Sequence, residues 1–252
     1  MSDPILSSLL LFVAGVVGGT LNAIAGGGSL LMLPVLIFLG LPPTVANGTN
    51  RVGILVQNLA ASGSFHRRGL IPMTWLRFAV VPGLIGAGLG TWAAVQVGDL
   101  AFQRILAAVM VLAAAATFWR PSGAAIPDVE PPKGGARAWG YRLAIGALAV
   151  YAGFIQAGFG FLALGFTSMV GLDLIRGNAF KVTLVLCFTP IALAGFALSG
   201  QVDWVMGITL AAGTFVGGLL GVHLQVLKGQ KWIRTVVTVM IVLFAVRLLT
   251  TG

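Results

Sequence analysis

The sequence predicts an all-α polytopic membrane protein, with about 8–10 transmembrane or half-spanning helices in two inverted-topology repeats. Three observations predict this fold. Only 8% of the 252 residues are charged and the mean hydropathy is +1.02, whereas a soluble domain carries about 25% charged residues. Apolar stretches recur from one end of the chain to the other, and the two halves of the chain correspond at a constant offset.

The apolar stretches are each long enough to cross or to enter a bilayer. They fall at residues 5–22, 28–40, 45–65, 75–98, 102–119, 141–157, 159–170, 178–198, 204–224 and 232–249. The first has no basic region before it, so we interpret it as a membrane segment and not as a removable signal. The stretches at 28–40 and 159–170 are too short to cross a ~30 Å hydrocarbon core at ~1.5 Å per residue.

The internal repeat shows as an ungapped match between residue i and residue i + 131. Matched pairs include Gly15 and Gly146, Ile24 and Ile155, Leu33 and Leu164, Asn47 and Asn178, Leu55 and Leu186, Gly86 and Gly217, and Gly90 and Gly221. A constant offset of this kind indicates a duplicated unit. We expect a first transmembrane repeat at 1–120, a cytoplasmic linker at 121–140 and a second transmembrane repeat at 141–252.

The distribution of charge predicts the orientation of the two repeats. Five segments per repeat is an odd number, so the repeats should have opposite orientations. The turn at 66–69 is basic while its counterpart at 198–203 carries only Asp203, and the connection near Asp99 is almost neutral while its counterpart at 228–234 is basic. Basic loops lie in the cytoplasm. We therefore expect a multi-pass protein of the cell (inner) membrane, with both termini outside and the linker in the cytoplasm.

A polar stripe marks the segment at 45–65. Asn47, Arg51, Asn58 and Ser62 are spaced by 4, 7 and 4 residues, which places them on one face of a helix. Amide and guanidinium groups that face hydrocarbon cost several kcal/mol each, so the stripe must face protein or water. We expect it to line the interface between the repeats.

The second repeat carries a similar set of polar residues. Lys181 corresponds to Asn50, one residue away from Arg51, and Asn178 corresponds to Asn47. Two cations in equivalent places, with no carboxylate near them in sequence, predict an anionic ligand. The alternative is that both cations snorkel to the membrane interface or cap carbonyl ends.

A glycine triplet at 26–28 precedes the first short segment, and "AGFGF" at 157–161 precedes the second. We expect Ser29 to cap a helix that begins inside the membrane. The amides of Gly27, Gly28 and Ser29 would then form an anion cradle at its positive end. The alternative is an ordinary tight turn or a close contact between helices.

The predicted ligand is a small anion, and the residues predicted to bind it come from both repeats. They are Arg51, Lys181, Asn47, Asn178, Asn50, Gly27, Gly28, Ser29, Asn22, Gln156, Gly158, Gly160 and Asn58. No catalytic residue, metal ligand or cofactor is predicted, and the single Cys187 excludes a disulfide framework. The net charge of +9 is attributed to cytoplasmic anchors and not to nucleic-acid binding.

The stretch "GGTLNAIAGGGSLLMLPVLIFLGLPPTVANGTNRVG" at 18–53, with "FHRRG" at 65–69 and "GFIQAGFGFLALGF" at 153–166, resembles the sulfite exporter TauE/SafE family of membrane permeases. The resemblance covers essentially the whole chain. It implies transport of sulfur oxyanions or organosulfur acids such as sulfite, sulfoacetate or related sulfonates. The second break has GFG where a fuller glycine triplet is more usual.

These observations predict a permease that exports a small sulfur-containing anion, sulfite or an organosulfonate, by rocking of one repeat against the other. The expected partners are this anion and the lipid bilayer, with no nucleic acid, and a homo-oligomer is left open. An importer of an organosulfur anion is the first alternative. An intramembrane hydrolase using Ser62 and His223 is a remote one.

Overall fold

A computed structural model describes residues 4–118 and 130–228 of the chain. Within these ranges the structure is helical and contains no strand. The helices are α1 (Pro4–Ala25), α2 (Ser29–Phe38), α3 (Pro43–Arg67), α4 (Met73–Val95), α5 (Asp99–Phe118), α6 (Gly135–Phe154), α7 (Phe159–Met169), α8 (Leu174–Leu198) and α9 (Trp204–Lys228).

The described helices match the predicted segments, and the all-α polytopic fold class is confirmed. The last predicted segment, at 232–249, lies outside the described residues. The largest difference is at α6, which begins at Gly135, inside the predicted linker at 121–140. Hydropathy does not include residues 135–140 in the segment because they contain Arg137, whose guanidinium packs 5.6 Å from the ring centroid of Tyr141.

Four of the described helices are long and apolar enough to cross a membrane, namely Ile5–Ile24, Met73–Val95, Leu174–Leu198 and Trp204–Leu227. Two apolar helices, α2 and α7, are short, with 10 and 11 residues. At ~1.5 Å per residue each extends about 15 Å, about half of the hydrocarbon core. Helix α3 is the least hydrophobic of the described helices and is largely buried among the others.

The packing of the helices follows the pattern expected of two related halves. Helix α1 packs against α9 and α4 packs against α6, while α3 packs against α8 and α9, and α4 also packs against α8. Exchanging the first five helices with their counterparts in the second half leaves these pairs unchanged. The pattern is what the sequence repeat predicts, and the inverted orientation in the membrane stays a prediction.

Glycines allow the backbones of these helix pairs to touch. In the α4–α6 pair, a Cβ on Gly90 would lie 1.9 Å from the carbonyl oxygen of Val150. In the α1–α9 pair, a Cβ on Gly217 would lie 2.3 Å from the carbonyl oxygen of Val16. Such close approach between membrane helices requires small residues, because a side chain would collide with the neighbouring backbone. The contact supplies the dispersion attraction that holds membrane helices together. These glycines therefore have a structural role, since they allow the helices to pack closely.

Three aspartates hold the beginnings of helices. The Asp99 carboxylate accepts from the backbone and the hydroxyl of Thr44 at 3.0 and 2.7 Å, at the start of α3. Asp173 accepts from the first backbone amides of α8, and Asp203 accepts from the amide of Met206 in α9. Side-chain oxygens at helix starts satisfy amides that have no acceptor within the helix. These carboxylates are thus engaged in capping.

We expect Gly90→Ala to destabilise the protein, because its methyl group would collide with the backbone of α6. The matched control is Gly88→Ala on the same helix, whose Cβ would make only an ordinary contact of 3.9 Å with Ile191. This control should be neutral or stabilising by up to ~1 kcal/mol, since alanine favours the helix. Thermal unfolding of both variants in one detergent tests this, and equal melting temperatures would contradict the packing argument.

Candidate functional site

The two glycine breaks meet in the interior of the protein. Gly26, with a φ of +79°, separates α1 from α2, and Gly158, with a φ of +73°, separates α6 from α7. A Cβ on Gly26 would lie 2.1 Å from the Cα atom of Gly160. The backbones of the two breaks are therefore in direct contact, so the beginnings of α2 and α7 lie close together.

The beginning of α2 differs from the predicted one at Ser29. Gly28, and not Ser29, occupies the N-cap position, and no side chain caps the helix. The Ser29 hydroxyl accepts a hydrogen bond from the Asn50 amide on α3 at 3.2 Å. The expectation that Ser29 caps α2 was wrong because the helix begins at Ser29 itself, so its side chain is directed to a neighbouring helix. The amides of 27–29 still belong to the open first turn.

Arg51 on α3 binds the end of α6. Its side chain is fully buried, and its guanidinium donates to the carbonyl oxygens of Ala152 at 2.6 Å and Gly153 at 2.8 Å, and to the side-chain oxygen of Gln156 at 2.5 Å. The guanidinium also lies 5.4 Å from the ring centroid of Phe196. The last carbonyls of a helix carry partial negative charge and lack partners within it. Arg51 therefore caps a helix that ends in the protein interior.

Lys181 on α8 makes the corresponding contact with the end of α1. It is 3% exposed, and its ammonium donates to the carbonyl oxygen of Asn22 at 2.9 Å. The carbonyls of Asn22 and Gly153, the partners of the two cations, are 131 residues apart. Each half of the chain thus supplies the cation that caps the broken helix of the other half.

Two asparagines strengthen the same contacts. The amide nitrogen of Asn47 on α3 donates to the carbonyl oxygen of Phe154 at 2.8 Å, at the end of α6. The amide nitrogen of Asn178 on α8 donates to the carbonyl oxygen of Ile24, at the end of α1. The polar stripe thus lies against the other half of the chain, and both cations bind carbonyl ends of helices, which is the alternative that the sequence left open for them. The binding of an anion stays a prediction.

The two cations differ in how fully their hydrogen bonds are used. Arg51 has three acceptors, whereas Lys181 has one among the described residues. Lys181 also lines a narrow crevice between α6, α7 and α8 that is about large enough for one water molecule. The other lining residues are apolar: Ile145, Leu148, Ala149, Phe159, Ala163, Phe166, Phe180 and Leu184.

In the first half of the chain, Met32 lies at the position that corresponds to the crevice beside Lys181. Gly18 and Met32 correspond to Ala149 and Ala163 at the offset of 131, and a Cβ on Gly18 would lie 2.6 Å from the Cγ atom of Met32. Met32 is completely buried. The long thioether side chain occupies, in the first half, the space that two alanines leave open in the second.

The site contains two buried cationic side chains and no carboxylate partner for them among the described residues. Among the described residues, neither Arg51 nor Lys181 forms an ion pair, and no cluster of metal-ligating side chains is found there. The cations contact only partial charges on carbonyl and amide oxygens. The positive ends of α2 and α7 lie beside the same contact between the breaks. A buried region with two uncompensated cations suits an anion.

Other predicted residues have different surroundings. The Asn22 side chain donates to the side-chain oxygen of Gln57 at 2.8 Å, and the sequence analysis missed Gln57, although it lies seven residues after Asn50 on the same helix face. Asn58 donates to the carbonyl of Ile54 at 2.8 Å, so its amide nitrogen is used within its own helix. Ser62 shares a hydrogen bond of 2.9 Å with Thr183.

Gln156 has an unusual backbone at the second break. It is the non-glycine residue with a positive φ, +57°, in the described part of the chain. This conformation costs of order 1–3 kcal/mol for a residue with a side chain. The strain is held by the contact with Arg51 and by the bond from the Phe159 amide to the Gln156 carbonyl at 3.0 Å. Gln156 therefore joins the beginning of α7 to the cation that caps α6.

We expect Arg51→Met to destabilise the protein more than Lys181→Met. The first change leaves the carbonyl of Ala152 and the buried amide oxygen of Gln156 without donors, while the carbonyl of Gly153 keeps the Thr91 hydroxyl, at a cost of about 2 kcal/mol or more. The second removes one such bond and also an uncompensated buried charge, so its net cost should be below about 1.5 kcal/mol. Thermal unfolding of both variants in the same detergent gives the ranking. The reverse order would contradict the assignment of Arg51 as the tighter cap.

Comparisons with known proteins agree on one group. The family model described as "Sulfite exporter TauE/SafE" matches residues 11–248. A "Probable membrane transporter protein" of Haemophilus influenzae is 28% identical over 92% of this chain and 90% of its own length. The "Probable membrane transporter protein YfcA" of Escherichia coli strain K12 is 28% identical over 99% and 91%, and a "Probable membrane transporter protein" of Xylella fastidiosa is 31% identical over 82% and 80%. No solved structure gives a significant match.

Proposed function

The chain belongs to the sulfite exporter TauE/SafE family of membrane transporters, and we propose that it moves a small sulfur-containing anion, sulfite or an organosulfonate, across the cell (inner) membrane. The observation that carries this proposal is the pair of buried cations at the ends of two broken helices, without a carboxylate partner. Broken helices beside a repeat interface are where such transporters bind their substrates.

Lys181 is the proposed anchor for the anion. Its ammonium has three donors and only one acceptor among the described residues, and it lines the crevice described above. A charged oxyanion is a stronger acceptor than a carbonyl, so the anion can take up the unused donors. The amides in the first turns of α2 and α7 would complete its coordination.

Arg51 is proposed as a positioning residue. Its guanidinium is occupied by two carbonyls and by the side chain of Gln156, and its Nε atom is the donor without a partner. It holds α6 at the position where the strained backbone of Gln156 leads into α7. In this proposal Arg51 shapes the site and contributes its positive charge at short range.

The same contacts suggest how binding is coupled to movement. An anion that takes up the unused donors of Lys181 also draws the ammonium away from the carbonyl of Asn22, because a charged oxygen is the stronger acceptor. Binding therefore weakens a contact between the two halves, and a ligand that binds two arrangements unequally shifts their populations. Alternating access by rocking of one half against the other would follow. Both termini would lie outside and the linker in the cytoplasm.

Export requires no separate coupling ion in this proposal. With a negative cytoplasm, each exported negative charge gains ~2.3 kcal/mol per 100 mV, enough for a gradient of roughly 50-fold. Asp99, Asp173 and Asp203 are engaged at helix starts, and the described residues include no buried carboxylate. We therefore propose a uniporter. An importer of an organosulfur anion has the same site, and the direction of flux distinguishes the two.

We expect Lys181→Ala to lower uptake of labelled sulfite and isethionate into proteoliposomes by about 10- to 100-fold, because a charge-assisted hydrogen bond to the substrate is lost. The matched control is Lys133→Ala, which removes an exposed lysine and should leave uptake unchanged. Elution from a sizing column shows that both variants are folded. Normal uptake by a folded Lys181→Ala variant would overturn the central-anion model.

We expect transport to follow the membrane potential and not the pH gradient. Proteoliposomes with a potassium gradient and valinomycin should accumulate labelled anion on the positive side, and reversing the potential should reverse the flux. An imposed pH gradient at zero potential, with isethionate as the substrate because its charge does not change with pH in this range, serves as the comparison. Accumulation that follows the pH gradient would replace the uniport proposal with proton coupling.

A further inference from the structure

The side-chain amides of Asn47 and Asn178 each use only one of their two polar atoms in a hydrogen bond among the described residues. The nitrogen of each side chain donates to a carbonyl at the end of a broken helix, Phe154 for Asn47 and Ile24 for Asn178. Within residues 4–118 and 130–228, no donor contacts the oxygen of either side chain. Asn47 is 1% exposed and Asn178 is 0% exposed, and buried polar atoms without partners are rare in proteins.

The orientation of both amides is determined by their contacts. Exchanging the oxygen and the nitrogen of either group would place an amide oxygen against a carbonyl oxygen, and two acceptors repel each other. The unpartnered atom at each position is therefore an acceptor. A buried acceptor requires an N–H or O–H donor from another molecule if it is to be satisfied.

The two acceptors lie beside the two cations. Asn47 precedes Arg51 by four residues on α3, and Asn178 precedes Lys181 by three residues on α8. Such spacings place side chains on the same face of a helix. The broken helices that these residues bind touch each other at Gly26 and Gly160. Each half of the chain thus presents a positive charge and an unpartnered acceptor at the same contact.

From this arrangement we infer that the site selects anions that carry an N–H or O–H donor in addition to the charged oxyanion group. This inference rests on the proposed function and narrows its substrate class. The class includes hydrogen oxyanions such as bisulfite and short sulfonates with a hydroxyl or amino group. An anion without a donor leaves the Asn47 and Asn178 oxygens unsatisfied and places its own lone pairs against them. Discrimination against a ligand that lacks one hydrogen-bonding group is strong when the protein group is buried.

Binding to the wild-type protein in lipid nanodiscs tests the inference without any substitution. The first pair of probes is isethionate and 1-propanesulfonate, in which a methyl group replaces the hydroxyl. The second pair is bisulfite at mildly acidic pH and methanesulfonate, which has the same charge and no donor. We expect the donor-bearing member of at least one pair to bind about 10-fold more tightly or better, by isothermal titration calorimetry. The pair that shows the difference tells whether the donor belongs to the oxyanion or to the organic part.

A variant then assigns the preference to a residue. Asn178→Leu should reduce the ratio of affinities within the discriminating pair to about 1. Asn47→Leu is the second variant, in case the first does not fold. The matched control is Gln225→Leu, which removes another buried, unpartnered amide oxygen, at the end of α9 and beside Leu174. This control should retain the ratio of the wild-type protein.

The outcomes separate the inference from the proposed function. Measurable but equal binding within both pairs overturns the inference and leaves the proposed anion site standing. Absence of binding for all four anions overturns both. A wild-type preference that survives in folded Asn178→Leu and Asn47→Leu variants also overturns the inference, because the preference would then come from other residues.

Discussion

The backbone groups at a helix end must be satisfied, and this constraint governs the interior of the protein. Helices α1 and α6 end among other helices, at Ala25 and Phe154, where lipid and bulk water are not available to their last carbonyls. The structure satisfies them with side chains from α3 and α8. The positions of Arg51, Asn47 and Asn178 follow from this requirement, and Lys181 adds a second donor to the Asn22 carbonyl, which also accepts from the Gly26 amide. The polar residues of α3 that bind the end of α6 have the same origin.

The capping contacts cross from one half of the chain to the other. Arg51 of the first half holds α6, and Lys181 of the second half holds α1. These contacts join the two halves at the broken helices, and glycine-mediated contacts such as Gly90 with α6 join them elsewhere. Glycine-mediated contacts are short-ranged and depend on shape. In the proposed function an anion replaces the carbonyl contact of Lys181, so the ligand binds where the two halves are joined.

Much of this arrangement could be predicted from the sequence. The polar stripe and the offset of 131 identify Asn47, Arg51, Asn178 and Lys181, because period and repetition are properties of the sequence itself. The partners of these residues could not be predicted, since the carbonyls they bind are backbone atoms that no residue type marks. The error at Ser29 was of the same kind, because a shift of one residue in a helix start decides whether a hydroxyl caps the helix or contacts its neighbour.

The difference between the cations connects the fold with the transport proposal. An arginine whose guanidinium is held by three acceptors and an aromatic ring has little capacity to exchange partners. In the proposed function, a lysine with one acceptor and a rotatable ammonium exchanges a carbonyl for an oxyanion, because the Asn22 carbonyl also accepts from the Gly26 amide and keeps that donor. Arg51 then keeps α6 in place as a reference, while the contact between α8 and the end of α1 responds to the anion. This difference between the two cations is the reason to expect the moving element on the α1 side.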